Sequence, residues 1–249
     1  MEDNVLAILE HWGLKADKIE EDNLDKSPDF LVEDNQHIHL IELKTREDRD
    51  GRRQAQHSAF DLGELFTETL PIVRKNTLSG IVRDASNQLS ARDEYKVDFR
   101  IVWLMAVDAH QEAKIEQMEA SLYGQVGLAD IDSGIRKQCY FYSHSDFFRF
   151  RAVLDAAILS WEGSAKLCLN PHSPRYQEIK STGLYSIFGE KAVDPIWFEK
   201  SDKAYIVDSD IDRNDETAVL EYVKSKYGKN NLMRLDIGLT AVSLAVDDE

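Results

Sequence analysis

Three ionisable residues interrupt runs that otherwise have the composition of buried β-structure. Asp29 heads the run DFLVED, and Glu42 and Lys44 sit inside HIHLIELKT. If Asn35 and Gln36 make a two-residue turn between the runs, facing residues have numbers adding to 71. Asp29 then lies across from Glu42 and Leu31 across from Leu40, on one face of an antiparallel pair. Lys44 shares that face because side chains alternate along a strand. The face reads Asp29, Leu31, Ile38, Leu40, Glu42, Lys44, and the other reads Phe30, Val32, His39, Ile41, Leu43. Both are largely apolar, which predicts a sheet covered on both sides. Two carboxylates held this close repel, and desolvation raises the cost of ionising either. A hard divalent cation, Mg²⁺ or Mn²⁺, relieves that by taking carboxylate and carbonyl oxygens while keeping several waters. Such a site suits phosphoester hydrolysis: the metal acidifies water and offsets charge on a phosphate oxygen, and Lys44 orients the water or neutralises the transition state. The competing reading makes Asp29 a turn residue after Pro28 and Glu42–Lys44 a surface pair on an edge strand. Leu40, Ile41 and Leu43 argue against an exposed edge.

These residues need strands and helices to hold them. Val5, Leu6, Ile8, Leu9 and Trp12 predict a short first helix over Asn4–Trp12, ended by Gly13. Lys15–Glu21 reads as a polar edge strand, followed by the hairpin. Thr45–His57 reads as a charged loop entering a helix near Ala59–Thr69, broken by Pro71. Ile81, Ala85, Gln88, Leu89 and Arg92 predict a helix over Ser79–Arg92, and Val97–Val107 an apolar strand. Further along, Gln138–Ser143 reads as a strand and Asp146–Trp161 as a helix with Phe147, Phe150, Leu154, Ala157, Ile158 and Trp161 on one stripe. Leu167–Pro174 reads as a turn-rich connection, Ala204–Asp208 as a strand, Glu216–Tyr227 as a helix stopped by Gly228, and Leu232–Val246 as a final strand. With no repeat and no linker in view, the expectation is a single α/β domain over 1–249.

Pro28-Asp29, followed after twelve residues by Glu42-Leu43-Lys44, resembles the PD-(D/E)XK nuclease superfamily, whose core has the order αβββαβ. The resemblance covers roughly residues 3–107, a nuclease core within 1–110, and leaves 111–249 as an elaboration of unassigned role. It implies a restriction-endonuclease-like mixed sheet flanked by helices. It further implies Asp29, Glu42 and the Leu43 carbonyl as metal ligands, Lys44 as the catalytic lysine, and Gln88 as the glutamine supplied by the following helix. A glutamate from the first helix, Glu10, is a weaker match, with Glu20 and Glu21 as competitors. The implied activity is Mg²⁺- or Mn²⁺-dependent hydrolysis of nucleic-acid phosphodiesters, DNA ahead of RNA. The alternative is a fold of this type that serves as a binding or assembly subunit without cleaving. A homodimer or a protein partner fits either.

The 249 residues carry 30 Lys and Arg against 46 Asp and Glu, a net charge of −16, which disfavours a nucleic-acid coating protein. The excess is terminal: residues 35–193 hold 22 acids and 20 bases, leaving room for a cleft that grips phosphate. Two cysteines without C-x-x-C spacing exclude a disulfide framework and a cysteine zinc site. The acidic start has no leader pattern, and the apolar runs are too short to span a bilayer, so the expected location is the cytoplasm, away from membranes. P-loop, G-x-G-x-x-G and G-x-S-x-G motifs are absent. Asp208, Asp210, Asp212 and Asn214 resemble the opening of a calcium loop, but Arg213 stands where glycine is needed and Val219 where a glutamate is needed. His37 and His39 share a strand face with no third ligand and read as strand-surface residues. Arg46, Arg49, Arg52 and Arg53, interleaved with Asp48 and Asp50, are candidate phosphate contacts; the polar loop Asn170–Arg175, close to Lys166 and Lys180, reads first as a packed surface loop and second as a phosphate contact.

Overall fold

The computed structural model describes residues 1–20, 27–34, 36–47, 50–91 and 96–243. The first half runs α1 (Glu2–His11), β1 (Lys15–Lys18), β2 (Phe30–Asp34), β3 (His37–Arg46), α2 (Asp50–Asp61), β4 (Phe66–Pro71), α3 (Asn76–Ser90) and β5 (Phe99–Ala106). The second half runs α4 (Gln111–Tyr123), β6 (Val126–Asp130), β7 (Arg136–Tyr140), α5 (Asp146–Arg149), β8 (Ala156–Trp161), β9 (Ser164–Leu169), α6 (Gly183–Phe188), α7 (Pro195–Lys200), β10 (Ala204–Ile206), α8 (Glu216–Tyr227), β11 (Leu232–Leu235) and β12 (Gly238–Ser243).

The central sheet has six strands in the order β1-β2-β3-β5-β8-β9. It is mixed: β1, β2 and β3 form an antiparallel meander, β3, β5 and β8 run parallel, and β9 returns antiparallel. Its middle strands are covered on both faces. On one face Leu40, Val102, Leu104 and Leu159 pack with Leu78, Val82 and Leu89 of α3 and Ile115 and Met118 of α4. On the other, Phe30, Val32, Ile41, Ile101 and Ile158 pack with Val5 and Leu9 of α1 and Leu184 of α6. Trp103 anchors this second layer, stacked on Trp12 with centroids 5.5 Å apart. A four-stranded sheet, β10-β7-β6-β11, and a two-stranded ribbon, β12-β4, complete the fold. Among the described residues no helix is long and apolar enough to cross a membrane.

Several elements depart from the sequence reading: the segment read as a charged loop to His57 is helical from Asp50, and the final strand read over Leu232–Val246 divides into β11 and β12 in different sheets. Residues 66–71 form a strand instead of the end of a helix, because their in-out alternation is taken up by β12 from far along the chain. Pro71 stands at the ribbon's terminus, where a missing N–H is tolerated. The helix expected over Asp146–Trp161 stops at Arg149, and AAILSW becomes β8. A run buried on both faces has no period-two signature and can pass for a helix stripe. Leu167–Leu169 belong to β9, so only the residues after them form turns.

Candidate active site

The hairpin adopts the expected register: Phe30 faces Ile41, Leu31 faces Leu40 and Asp34 faces His37, all adding to 71. Of the expected turn pair, Asn35 lies outside the described residues. At Asp29 the pairing shifts. The Asp29 N–H donates to the Ile41 carbonyl (3.1 Å), the residue already paired with Phe30, so β2 bulges at its first position. Asp29 therefore does not stand directly across from Glu42. A bulge re-aims a side chain, and here the Asp29 carboxylate accepts the Leu43 N–H (2.6 Å), in the place of a ladder carbonyl. In an extended strand a residue's N–H and C=O leave on the same side. The Leu43 carbonyl thus also points toward the Asp29 side.

Glu42, only 1% exposed, and Lys44 lie on the α3 face of β3. The Lys44 ammonium donates to Glu42 Oε1 and, at 2.8 Å, to Gln88 Oε1. Gln88 Nε2 in turn donates to the Ser27 carbonyl (3.4 Å), tying α3 to the segment that leads into Asp29. The periodicity of α3 explains this reach: Val82, Ala85 and Leu89 bury its inner stripe, and Gln88 is the polar residue at its edge. Asp29, Glu42, Lys44 and Gln88 are thereby brought to one place.

Burial pushes the Glu42 carboxyl up to about 7; the Lys44 ammonium opposes this, and the neighbouring Asp29 charge adds to it. Asp29 is raised as well, chiefly by burial, against the opposing Leu43 N–H and Lys44. The two carboxyls are near enough for each to perturb the other. Glu42 Oε2 is buried with no hydrogen-bond partner. An orphaned carboxylate oxygen beside a second strained carboxylate is the donor set a hard cation takes up. Among the described residues no group of three or more His, Cys, Asp and Glu is placed to hold a metal ion. The fit is therefore with a cation that accepts two carboxylates and a carbonyl and keeps the rest of its shell as water.

Asp29 borders a cavity of about 660 Å³ that is also lined by Glu2, Lys18, Ile19, Glu20 and Pro28. The first helix brings Glu2 to this space, ion-paired to Lys18, and Glu2 adds to the upward push on Asp29. Glu10 is on the exposed surface near the far end of α1. Glu20 lines the cavity, and Glu21 is outside the described residues. No spacing rule pointed to Glu2; only the packing angle of α1 selects it.

Most of the remaining candidates have structural partners; the side chains of Asp48, Arg49, Asp50 and Arg53 lie outside what the structure describes. His39 is fully buried, not a surface residue: its Nε2 meets Asp34 Oδ2 at 2.8 Å and its ring stacks on Phe99. Asp34 also accepts the Leu184 N–H (2.9 Å), so this pair pins the hairpin end to α6. Arg46 bonds to Gln117 Oε1 (2.6 Å) and Arg52 to Glu68 (2.6 Å), while Asp48 and Arg49 lie outside the described residues. In the 170–175 loop, Asn170 donates to the Phe147 and Leu154 carbonyls and Arg175 to Asp155. Lys166 pairs with Glu116 and Glu119, and Lys180 with Asp194. Arg213 donates to the carbonyls of Val207, Ser209 and Ile211, so the cation at the centre of the calcium-like loop is the chain's own guanidinium.

No family model, curated protein or solved structure matches the chain.

Proposed function

We propose that the protein is a divalent-metal-dependent nuclease of PD-(D/E)XK type, hydrolysing nucleic-acid phosphodiester bonds, with DNA the preferred polymer. The observation that carries this reading is the convergence of Asp29, Glu42, Lys44 and Gln88 at a bulged strand end, with Glu42 Oε2 left unpartnered. The element order supports it: a helix, a three-stranded meander, then α3 and the parallel strand β5, with α2 and β4 inserted before α3. Asp29, Glu42 and the Leu43 carbonyl would hold Mg²⁺ or Mn²⁺, which when bound acidifies water and offsets negative charge on the phosphate. Lys44 would present its ammonium to the attacking water or to the phosphate oxygens. Gln88 keeps that ammonium oriented through its 2.8 Å bond.

The test is a cleavage assay with linear and circular double-stranded DNA, single-stranded DNA and RNA, in Mg²⁺, Mn²⁺ or EDTA. Cleavage should appear with metal and vanish in Asp29→Ala, Glu42→Ala and Lys44→Ala proteins that remain folded. Activity retained in all three removes the reading. Saturable Mn²⁺ binding without cleavage of any polymer would favour an assembly subunit, a role the acidic surroundings of Asp29 (Glu2 and Glu20) also suit.

A further inference from the structure

A second cleft, of about 830 Å³, lies between the segment 141–151 and the loop 207–213. It shares no residue with the carboxylate site. Ser79 of α3 borders it through Asp146, nine residues from Gln88, or about 13 Å along the helix.

Four buried side-chain atoms around this cleft have no hydrogen-bond partner: Asp146 Oδ1, Arg74 Nε, His172 Nε2 and Ser209 Oγ. Asp146 is 1% exposed and fixed by Ser79, which donates to its other oxygen at 2.7 Å. Buried polar atoms without hydrogen-bond partners call for an explanation, and these four belong to residues in the walls of one cleft, with Asp146 Oδ1 3.9 Å from the Arg74 guanidinium. Burial, then Arg151 and Arg213, hold His172 below its ordinary range, so its ring is neutral and offers either a donor or an acceptor.

The rest of the lining supplies a flat apolar platform and separated charge. Phe148 is 50% exposed, with the Arg151 guanidinium 4.4 Å over its ring and His172 edge-on at 5.1 Å. Arg149 is exposed on the same segment. The opposite wall carries Asp210 and Asp212. That wall is held in shape by Arg213 within the loop, and His144 reaches across to Asn214 at 3.2 Å. The cleft is thus preformed.

We propose that this cleft binds a nucleotide, its base stacked on Phe148 with its polar edge toward Asp146, His172 and Ser209, and its phosphate toward Arg149 and Arg151. An inorganic anion would leave the aromatic platform unused and would face Asp208, Asp210 and Asp212. A purely apolar ligand would leave the exposed Arg149 and Arg151 guanidiniums unmatched. Base–aromatic stacking joined to guanidinium–phosphate contact satisfies both halves. The source is either a free mononucleotide or the phosphorylated end of a polynucleotide.

The test is calorimetric titration of the full chain in EDTA with AMP, CMP, GMP and UMP, the matching nucleosides, a 5′-phosphorylated oligonucleotide, and free tyrosine and tryptophan. Saturable nucleotide binding is expected, weakened about tenfold by Phe148→Ala as expected for loss of one stacking contact. Arg149→Ala with Arg151→Ala should weaken nucleotides about tenfold, as for a lost charge-assisted phosphate contact, and leave nucleosides unchanged. All three side chains are exposed, so these variants should fold, and circular dichroism verifies it. Oligonucleotide binding tighter than that of mononucleotides assigns the polymer end; the reverse order assigns the free nucleotide. Binding unaltered by either variant, absence of saturable binding up to millimolar concentration, or tighter binding of an aromatic amino acid would overturn the proposal. Because metal is withheld, failure here leaves the nuclease reading untouched, and the converse also holds.

Discussion

Replacing Glu42 by glutamine removes a carboxyl that the fold holds against its ionised form. Its value of about 7, against an ordinary 4.5, means the native protein binds this proton more tightly than the unfolded chain. Stability from this group is therefore full below pH 4.5, falls as pH rises, and is lost above 7. At 1.36 kcal/mol per pH unit, the loss between pH 5 and pH 8 is on the order of 3 kcal/mol in the metal-free protein. Buried His39, held below its ordinary value, works in the opposite direction by losing stability as pH drops through 6.5. The difference between wild type and Glu42→Gln cancels that contribution. The assay is urea unfolding of both proteins in EDTA at several pH values from 5 to 8. Wild type should lose about 3 kcal/mol relative to Glu42→Gln across the range, or roughly 6–12 °C in Tm for a chain of this size. Mn²⁺ at a hundred times its Kd should restore about 2.7 kcal/mol to wild type at pH 8 and far less to the variant. Parallel pH profiles for the two proteins would refute the reasoning, because burial of Glu42 would then carry no electrostatic strain.

On the proposed reading Mn²⁺ competes with the Glu42 proton, so its Kd should weaken about fivefold from pH 7 to pH 6 and about tenfold from pH 6 to pH 5, measured by calorimetry. Gln88→Ala should lower the cleavage rate yet keep metal affinity, since Gln88 touches Lys44 and neither carboxylate. Asp34→Ala should destabilise the fold by roughly 3–5 kcal/mol, read from the urea midpoint, because it strips His39 and the Leu184 N–H of their buried partner. At Gly124, with φ of 61°, a β-carbon would come within 2.3 Å of the Ser143 carbonyl. Gly124→Ala should therefore displace the segment that carries Asp146 and Phe148, and nucleotide titration should show the loss.

The hairpin was legible because turn polarity and apolar alternation fix its register, and α8 because Gly228 takes the left-handed position at its end. Asp29, Glu42 and Lys44 could be named from residue type and spacing, and Gln88 only through the family resemblance. The bulge could not, since it lies in the backbone pairing of Asp29 with Ile41 and leaves no mark in side-chain chemistry. Glu2 was hidden because helix direction is set by the packing of Val5 and Leu9. β8 was hidden because its buried run fits either period, and β4 because its partner lies at the other end of the chain. The aromatic and orphaned polar groups of the second cleft come from segments far apart in sequence, and no local window contains them.

The ribbon of β4 and β12 bears on how the protein is made. Thr69 and Thr240 share a hydrogen bond across 171 residues of sequence. At about 5–20 residues per second, β4 waits roughly ten to thirty seconds on the ribosome for its partner to emerge. Throughout that interval the segment joining Lys44 to Gln88 has one edge unpaired. A chain shortened before Gly238 would carry Asp29, Glu42, Lys44 and Gln88 without the strand that pairs with β4 in the loop between Lys44 and Gln88.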